Sequence, residues 1–199
     1  MNKTVIILLA AGNASRMGQP KQLLSLGQQS LLERMICESA AVVGKQIVLV
    51  LGAYQELIKE KIAAENVQIV VNKDWKKGMG ISIKTGLATA LQHNPDCENV
   101  IFSVVDQPFV SAELFQQLLS VKRDSKKKIV ACSYADTIGV PVLFDKSYFG
   151  LLATLKDSEG AKKILVAQSS DVETIAFPQG AIDIDTPEDY TKFINNNKE

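Results

Sequence analysis

Two patterns of hydrophobic positions alternate along the chain. Short, nearly continuous apolar runs of strand length occur at 5–9, 46–51, 67–71, 99–105 and 129–133, and they are rich in Val and Ile. Between them, 31–42, 54–64, 81–92 and 112–121 carry apolar residues three and four positions apart, the spacing of amphipathic helices. Runs that are apolar at successive positions, rather than at every second one, suit strands buried on both faces of a sheet. The alternation therefore predicts an α/β fold, a Rossmann-like three-layer α/β/α arrangement around a mostly parallel sheet. Parallel neighbours need long right-handed crossovers, and those crossovers lay helices on both faces.

After residue 133 the pattern loosens. A short strand is expected at 141–144, short helices at 146–152 and 160–168, and a final helix at 186–195, with 195–199 fraying. No Pro, Gly or Ser-rich linker divides the chain and no internal repeat is visible, so one domain over 1–199 is expected. The basic cluster at 122–128 reads as a solvated turn between helix and strand.

Composition narrows the partners. The 199 residues contain 22 Lys plus Arg against 22 Asp plus Glu. This balance gives no global reason to expect nucleic acid or a membrane surface, which call for clustered excess cations. An anionic ligand must be held by a local site. No run approaches the roughly 20 apolar residues of a membrane span. Lys3 and the apolar run at 5–11 could pass for a secretory leader, but the run reads better as a buried first strand. Cys37, Cys97, Cys132 and a single His93 supply neither a disulfide framework nor a thiolate zinc site. The cysteines are expected in the core, His93 at a helix end, and the protein in the cytoplasm.

The local anion site has one clear candidate. In open α/β sheets ligands gather at the carboxyl ends of strands. The loop after Leu9 runs through Ala10, Ala11, Gly12, Asn13, Ala14, Ser15, Arg16, Met17, Gly18, Gln19, Pro20 and Lys21. Glycine lets backbone N–H groups approach a ligand, and Arg16 and Lys21 add two cations, which suits phosphates. The spacing is neither that of a Walker loop nor that of the dinucleotide fingerprint. A surface loop with two solvated cations is the plain alternative.

Two acidic positions bear on a metal. Asp106 closes the run that ends at Val105 and precedes Gln107 and Pro108. A strand-end Asp is often only a cap, but beside a triphosphate it would serve Mg²⁺, which takes carboxylate and phosphate oxygens together. Near the C-terminus, Asp183, Ile184, Asp185, Thr186, Pro187, Glu188 and Asp189 form a second acidic stretch. Asp185 is placed to cap the final helix, with Thr186 and Pro187 suiting its start.

Leu9 to Gly12, then Ser15-Arg16-Met17-Gly18, then Pro20-Lys21-Gln22-Leu23-Leu24 resemble the signature of nucleotidyltransferases of the sugar-nucleotide and molybdenum-cofactor type. More narrowly, the chain is similar to the molybdenum cofactor cytidylyltransferase group over nearly its whole length. The resemblance implies a nucleotidyltransferase fold with a nucleotide-binding half at 1–110 and an acceptor-binding half at 111–199. It assigns Leu9, Ala10, Ala11 and Gly12 to the base, Arg16 and Lys21 to the triphosphate, and Asp106 and Asp185, the latter in preference to Asp183, to Mg²⁺. Gly78, Met79 and Ser82, in the segment that follows the third strand, would lie near the nucleotide. Related guanylyltransferases have glycine where Ala11 stands, and a methyl narrowing that side of the pocket favours CTP.

On the acceptor side the resemblance points to Gly139, Pro141, Asp157 and Gly160. There the chain departs from the family, with Val140 in place of a common histidine and an altered spacing of acid and glycine at 157–160. The implied reaction moves CMP from CTP to the phosphate of molybdopterin, releasing pyrophosphate, with a molybdenum hydroxylase as the client of the product. GTP or another phosphate acceptor is the alternative within the class. A non-catalytic cofactor carrier for such a hydroxylase is the alternative outside it.

Overall fold

A computed structural model describes residues 3–62 and 67–197. Its main sheet is built from β1 (Thr4–Ala10), β4 (Ile47–Leu51), β5 (Gln68–Val71), β6 (Asn99–Val104), β7 (Ile129–Tyr134), β8 (Thr137–Asp145) and β9 (Val172–Ala176). A two-stranded hairpin, β2 (Ser25–Leu26) with β3 (Gln29–Ser30), stands apart. The order across the main sheet is β5-β4-β1-β6-β8-β7-β9. Pairings of β1 with β4 and β6, of β4 with β5 and of β7 with β9 are parallel, and β8 alone runs against its neighbours.

The continuous apolar runs are the central strands. Every residue of β4 is buried, and along β1 successive side chains enter opposite faces. Ile6, Leu8 and Ala10 pack with α1 (Leu31–Val43), α2 (Gln55–Lys61) and α4 (Ala112–Asp124), while Val5, Ile7 and Ala11 pack with α3 (Met79–His93), α5 (Phe149–Ala153) and α6 (Lys162–Ala167). Hydrophobic burial thus sets three layers. The stretch 54–64 forms a helix only over Gln55–Lys61; positions 63–64 lie outside the described residues. The final helix, α7, spans Pro187–Asn196.

Three expectations are corrected. The short strand expected at 141–144 is part of the nine-residue β8, joined to β7 by a turn in which Ala135 and Asp136 have φ of 46° and 57°. The β7–β8 register shifts between Ala131, opposite Val142, and Cys132, opposite Gly139, so Val140 and Pro141 bulge out of the ladder. Proline has no N–H to give to that ladder, and a bulge is where a strand tolerates it. Lys122 lies not in a turn but in the last turn of α4, 3.1 Å from Asp145. Cys37 is exposed on α1, unlike the buried Cys97 and Cys132. Among the described residues no helix is long and apolar enough to cross a membrane.

Candidate active site

The parallel register of β1 with β6 sets Leu9 beside Val104, so the loop after β1 and the segment after β6 leave the sheet together. The loop is held in place. Met17 buries its side chain beneath it, the Tyr54 hydroxyl donates to the Asn13 carbonyl at 2.8 Å, and Ala53 N–H donates to the Ala11 carbonyl. A Cβ at Gly12 would meet nothing within 4 Å, so the space over that backbone is open. The buried Gln22 amide donates to the Ala10 carbonyl at 2.9 Å and ties the Lys21–Leu23 turn back to the strand end.

Across the loop the charges converge. Lys21 Nζ is bonded to Asp106 Oδ2 and, at 2.7 Å, to Asp185 Oδ1, and Arg16 Nη2 reaches Asp185 Oδ2 at 2.5 Å. Asp185 comes to Asp106, 79 positions earlier in sequence, because Ile184 N–H donates to the Asp106 carbonyl and Ile184 is fully buried. Burial pulls the pKa of the Lys21 ammonium down, but the two carboxylates outweigh it and hold the pKa above its ordinary value. Asp183 does not join this cluster. It is exposed on a separate cavity with Phe109 and Phe193, and partial burial, then the charges of Asp185 and Asp106, push its pKa up.

Asp185 is free for this role because it does not cap α7. The cap is Thr186, whose hydroxyl accepts from Asp189 N–H at 3.1 Å while the Asp189 carboxylate accepts from Thr186 N–H at 2.9 Å. With Pro187 at the first helical position, this reciprocal box satisfies the helix start without Asp185.

A cleft of about 380 Å³ opens between the loop and the start of α3. Leu9, Ala10, Ala11, Gly12, Lys21, Gly78, Met79, Ser82 and Asp106 all line it. So do Asn13, Gln22, Trp75 and Lys76, which the sequence reading did not single out as site residues. Trp75 and Lys76 lie in the segment that precedes Gly78, and Lys76 Nζ sits 5.6 Å from the Trp75 ring centre. In the floor, the buried Asn72 donates from Nδ2 to Ser82 Oγ at 2.9 Å and accepts from Asp74 N–H at 3.0 Å. Ser82 accepts from Asn72, so its own proton is left to give to a ligand.

The proposed acceptor residues do not gather with this group. Gly139 and Gly160 line a second, smaller cavity, and Pro141 is buried in β8. Asp157 lines neither cavity. Its carboxylate pairs with Lys84 at 2.7 Å and its carbonyl accepts from Gly80 N–H at 2.9 Å, so it buttresses the start of α3. The contact is close: a Cβ at Gly80 would lie 2.1 Å from the Lys156 carbonyl oxygen and 2.8 Å from that of Glu159. Gly80→Ala should therefore cost about 2 kcal/mol of stability, since backbone rather than a flexible side chain must yield. Thermal unfolding checks this; an unchanged melting temperature would mean that the 156–159 segment yields without cost.

The oxygen chemistry suits a hard divalent cation. Two carboxylates already share one cation, and phosphate oxygens and water would complete such an ion's shell. Among the described residues no group of three or more His, Cys, Asp or Glu converges as a metal cluster, so protein ligands alone would leave the shell open. Nucleophilic chemistry has less to offer: burial pushes the Cys97 thiol up to about 11 and that of Cys132 up to about 12, far from a reactive thiolate. His93 ends α3, outside the cleft.

A parallel-sheet edge that sets a cation-bearing loop against two converging carboxylates suits a nucleotidyltransferase, and the family match assigns the chain to that class. The chain belongs to the family of MobA-like NTP transferase domains, which matches residues 6–172. Its relatives include the nicotine blue oxidoreductase of Paenarthrobacter nicotinovorans, 31% identical over 169 residues that cover 81% of this chain and 80% of that one. The molybdenum cofactor cytidylyltransferase of Escherichia coli (strain K12) is 25% identical over 185 residues, 92% of each chain. Among solved structures, Rv0371C of Mycobacterium tuberculosis H37Rv in complex with manganese matches with a TM-score of 0.79 at 26% identity, covering 96% of this chain and 97% of that one. The family and the α/β nucleotidyltransferase fold expected from the loop and acidic motifs are those found.

Proposed function

We propose that this protein transfers CMP from CTP to the phosphate of molybdopterin, in the cytoplasm, with Mg²⁺ held by Asp106 and Asp185. The observation that carries the nucleotidyl-transfer chemistry is the convergence of Lys21, Arg16, Asp106 and Asp185 at the mouth of the cleft. The near full-length similarity to a molybdenum cofactor cytidylyltransferase supports the substrates, and the manganese complex of a structural relative supports a divalent ion. Residues 1–110 would hold the nucleotide and 111–199 the acceptor, with a molybdenum hydroxylase as the client of the product.

In this reaction an oxygen of the acceptor phosphate forms a bond to the α-phosphorus of CTP. The bond from that phosphorus to the bridging oxygen breaks, and its electron pair leaves with pyrophosphate. A phosphate monoester is already ionised near neutrality, so no general base is needed. The protein's task is alignment and charge neutralisation. Lys21 and Arg16 exchange their carboxylate partners for the triphosphate, Lys21 as a point charge on the rigid side of the loop. The Gly12 backbone lies open to the phosphates, and Ser82 gives its proton to a carbonyl of the base. The ion, when bound, supplies charge neutralisation between donor and acceptor phosphates.

The oxidoreductase among the relatives raises a second chemistry on the same fold. Hydride transfer has no use for two carboxylates converging on a cation beside an anion loop, and this favours nucleotidyl transfer. A panel of CTP, GTP, UTP and ATP with purified molybdopterin and Mg²⁺, scored by pyrophosphate, tests the proposal. CTP should be preferred by at least tenfold. Release with GTP alone would overturn the donor, and no release with any nucleotide would overturn the reaction.

A further inference from the structure

A cavity of about 200 Å³ adjoins the nucleotide cleft, with Leu9 and Met79 lining both. Its remaining wall is mostly apolar, from Ile83, Phe102, Ile138, Val140, Val142 and Leu165, and it contains no carboxylate. The lysine and threonine at its rim are engaged with each other, Lys162 Nζ donating to Thr137 Oγ1 at 2.5 Å. The bulge at 140–141 interrupts the β8 ladder where Val140 forms part of this wall.

The third polar side chain is Tyr134, and its place is unusually fixed. A Cβ at Gly139 would stand 2.5 Å from the Tyr134 hydroxyl oxygen, and one at Gly180 would stand 2.6 Å from its Cδ1. The ring therefore occupies a slot that only two glycines leave open, with Phe177 edge-on at 6.3 Å. Gln107, buried next to Asp106, donates from Nε2 to the Gly180 carbonyl at 2.9 Å and so pins the glycine that shapes one side of this slot. A phenol hydroxyl can donate its proton to a phosphate oxygen. β7 ends at the same sheet edge as β1 and β6, so Tyr134, its last residue, stands at the end of the sheet where Asp106 follows β6.

We propose that Tyr134 is the residue that orients the acceptor, its hydroxyl donating to the acceptor's phosphate while the adjoining cavity takes a flat, sparsely hydroxylated ring. The inference rests on the nucleotidyl-transfer reading. An apolar cavity of about 150 Å³ takes a single benzene ring, so this one has room for a slightly larger ring system. A sugar or polyol would strip water from several hydroxyls here and find few partners for them, a loss that the apolar walls do not offset.

The test uses full-length protein with CTP and Mg²⁺. Tyr134→Phe keeps the ring in its slot and removes only the proton, so it should melt as the parent does and raise KM for the phosphate acceptor about tenfold or more, leaving KM for CTP unchanged. Pterin-6-carboxylate, a fluorescent flat probe, should bind the parent and compete with the acceptor but not with CTP, whereas glucosamine 1-phosphate should do neither. Ile138→Lys should abolish probe binding while CTP still binds. Unchanged acceptor KM in Tyr134→Phe would overturn the role of the phenol. Turnover of CTP with glucosamine 1-phosphate as acceptor, without probe binding, would overturn the cavity assignment and leave nucleotidyl transfer standing. Failure of every nucleoside triphosphate to bind would instead remove the reading on which the inference rests.

Discussion

Asp106→Asn should lower pyrophosphate release from CTP by about three orders of magnitude, an effect of about 4 kcal/mol on the barrier, while the protein stays folded. The substitution keeps the shape of the side chain and removes one of two carboxylates able to hold a divalent ion. Folding tolerates the loss because Lys21 keeps Asp185 as a partner at 2.7 Å, and the bond from Ile184 N–H to residue 106 uses the backbone carbonyl, which is untouched. Asp185→Asn should cost a similar amount. The double variant should be scarcely worse than either single one, because both carboxylates serve one ion and their losses do not add. Initial rates across a range of Mg²⁺ concentrations, with melting curves for each variant, decide the matter. Activity of Asp106→Asn within tenfold of the parent would exclude a metal-holding role.

How much of this was legible beforehand follows the physics of each element. β1, β4 and β6 announce themselves because a strand buried on both faces must be apolar at successive positions. β9 does not, since its residues at the sheet margin are only partly buried or exposed and Glu173 and Thr174 interrupt the run. The β7–β8 hairpin was hidden for a different reason. Its turn places Ala135 and Asp136 at positive φ without the Asn-Gly or Asp-Gly pair that usually marks such a turn. That one missed reversal carries Tyr134 and the second cavity, so this part of the chain was the less readable.

Several residues that line the cleft, on the β1 loop and at the strand ends, are legible in the sequence because topology says where ligands meet a parallel sheet and the loop carries the family's motif. Gln22 and Asn72 were not singled out as site residues. A polar side chain reads as surface until packing shows it to be buried, and only then does its bond to Ala10 or Ser82 acquire a purpose. Asp157 shows the converse. The acid lies near a glycine, as the motif suggests, but its partner is Lys84, a helix position that no spacing rule connects to it. The cap of α7 illustrates the limit of local rules: Asp185 and Thr186 are both competent caps, and the tertiary pull of Lys21 and Arg16 on the aspartate leaves the capping to the threonine.

Lys21→Met should separate two roles of one ammonium. In the free protein Lys21 lies between Asp106 and Asp185 with its side chain only 16% exposed, so it neutralises the carboxylates where a divalent ion would bind. Removing it leaves two converging carboxylates with, among the described residues, the exposed Arg16 as their paired counter-charge, on Asp185. The variant should lose about 2 kcal/mol of stability in metal-free buffer, between the small value of surface pairs and the larger one of buried pairs. Millimolar Mg²⁺ or Mn²⁺ without nucleotide should restore most of that loss, because the ion no longer competes with a tethered cation. The parent should gain little from the same addition. With CTP present the order reverses: the variant should turn over roughly a hundredfold more slowly, having lost a cation that holds the triphosphate. Melting curves with and without the ion, set beside CTP turnover, measure both effects. Equal stabilisation of parent and variant by the ion would show that Lys21 does not guard the carboxylate pair, and unimpaired turnover would show that the triphosphate is held elsewhere.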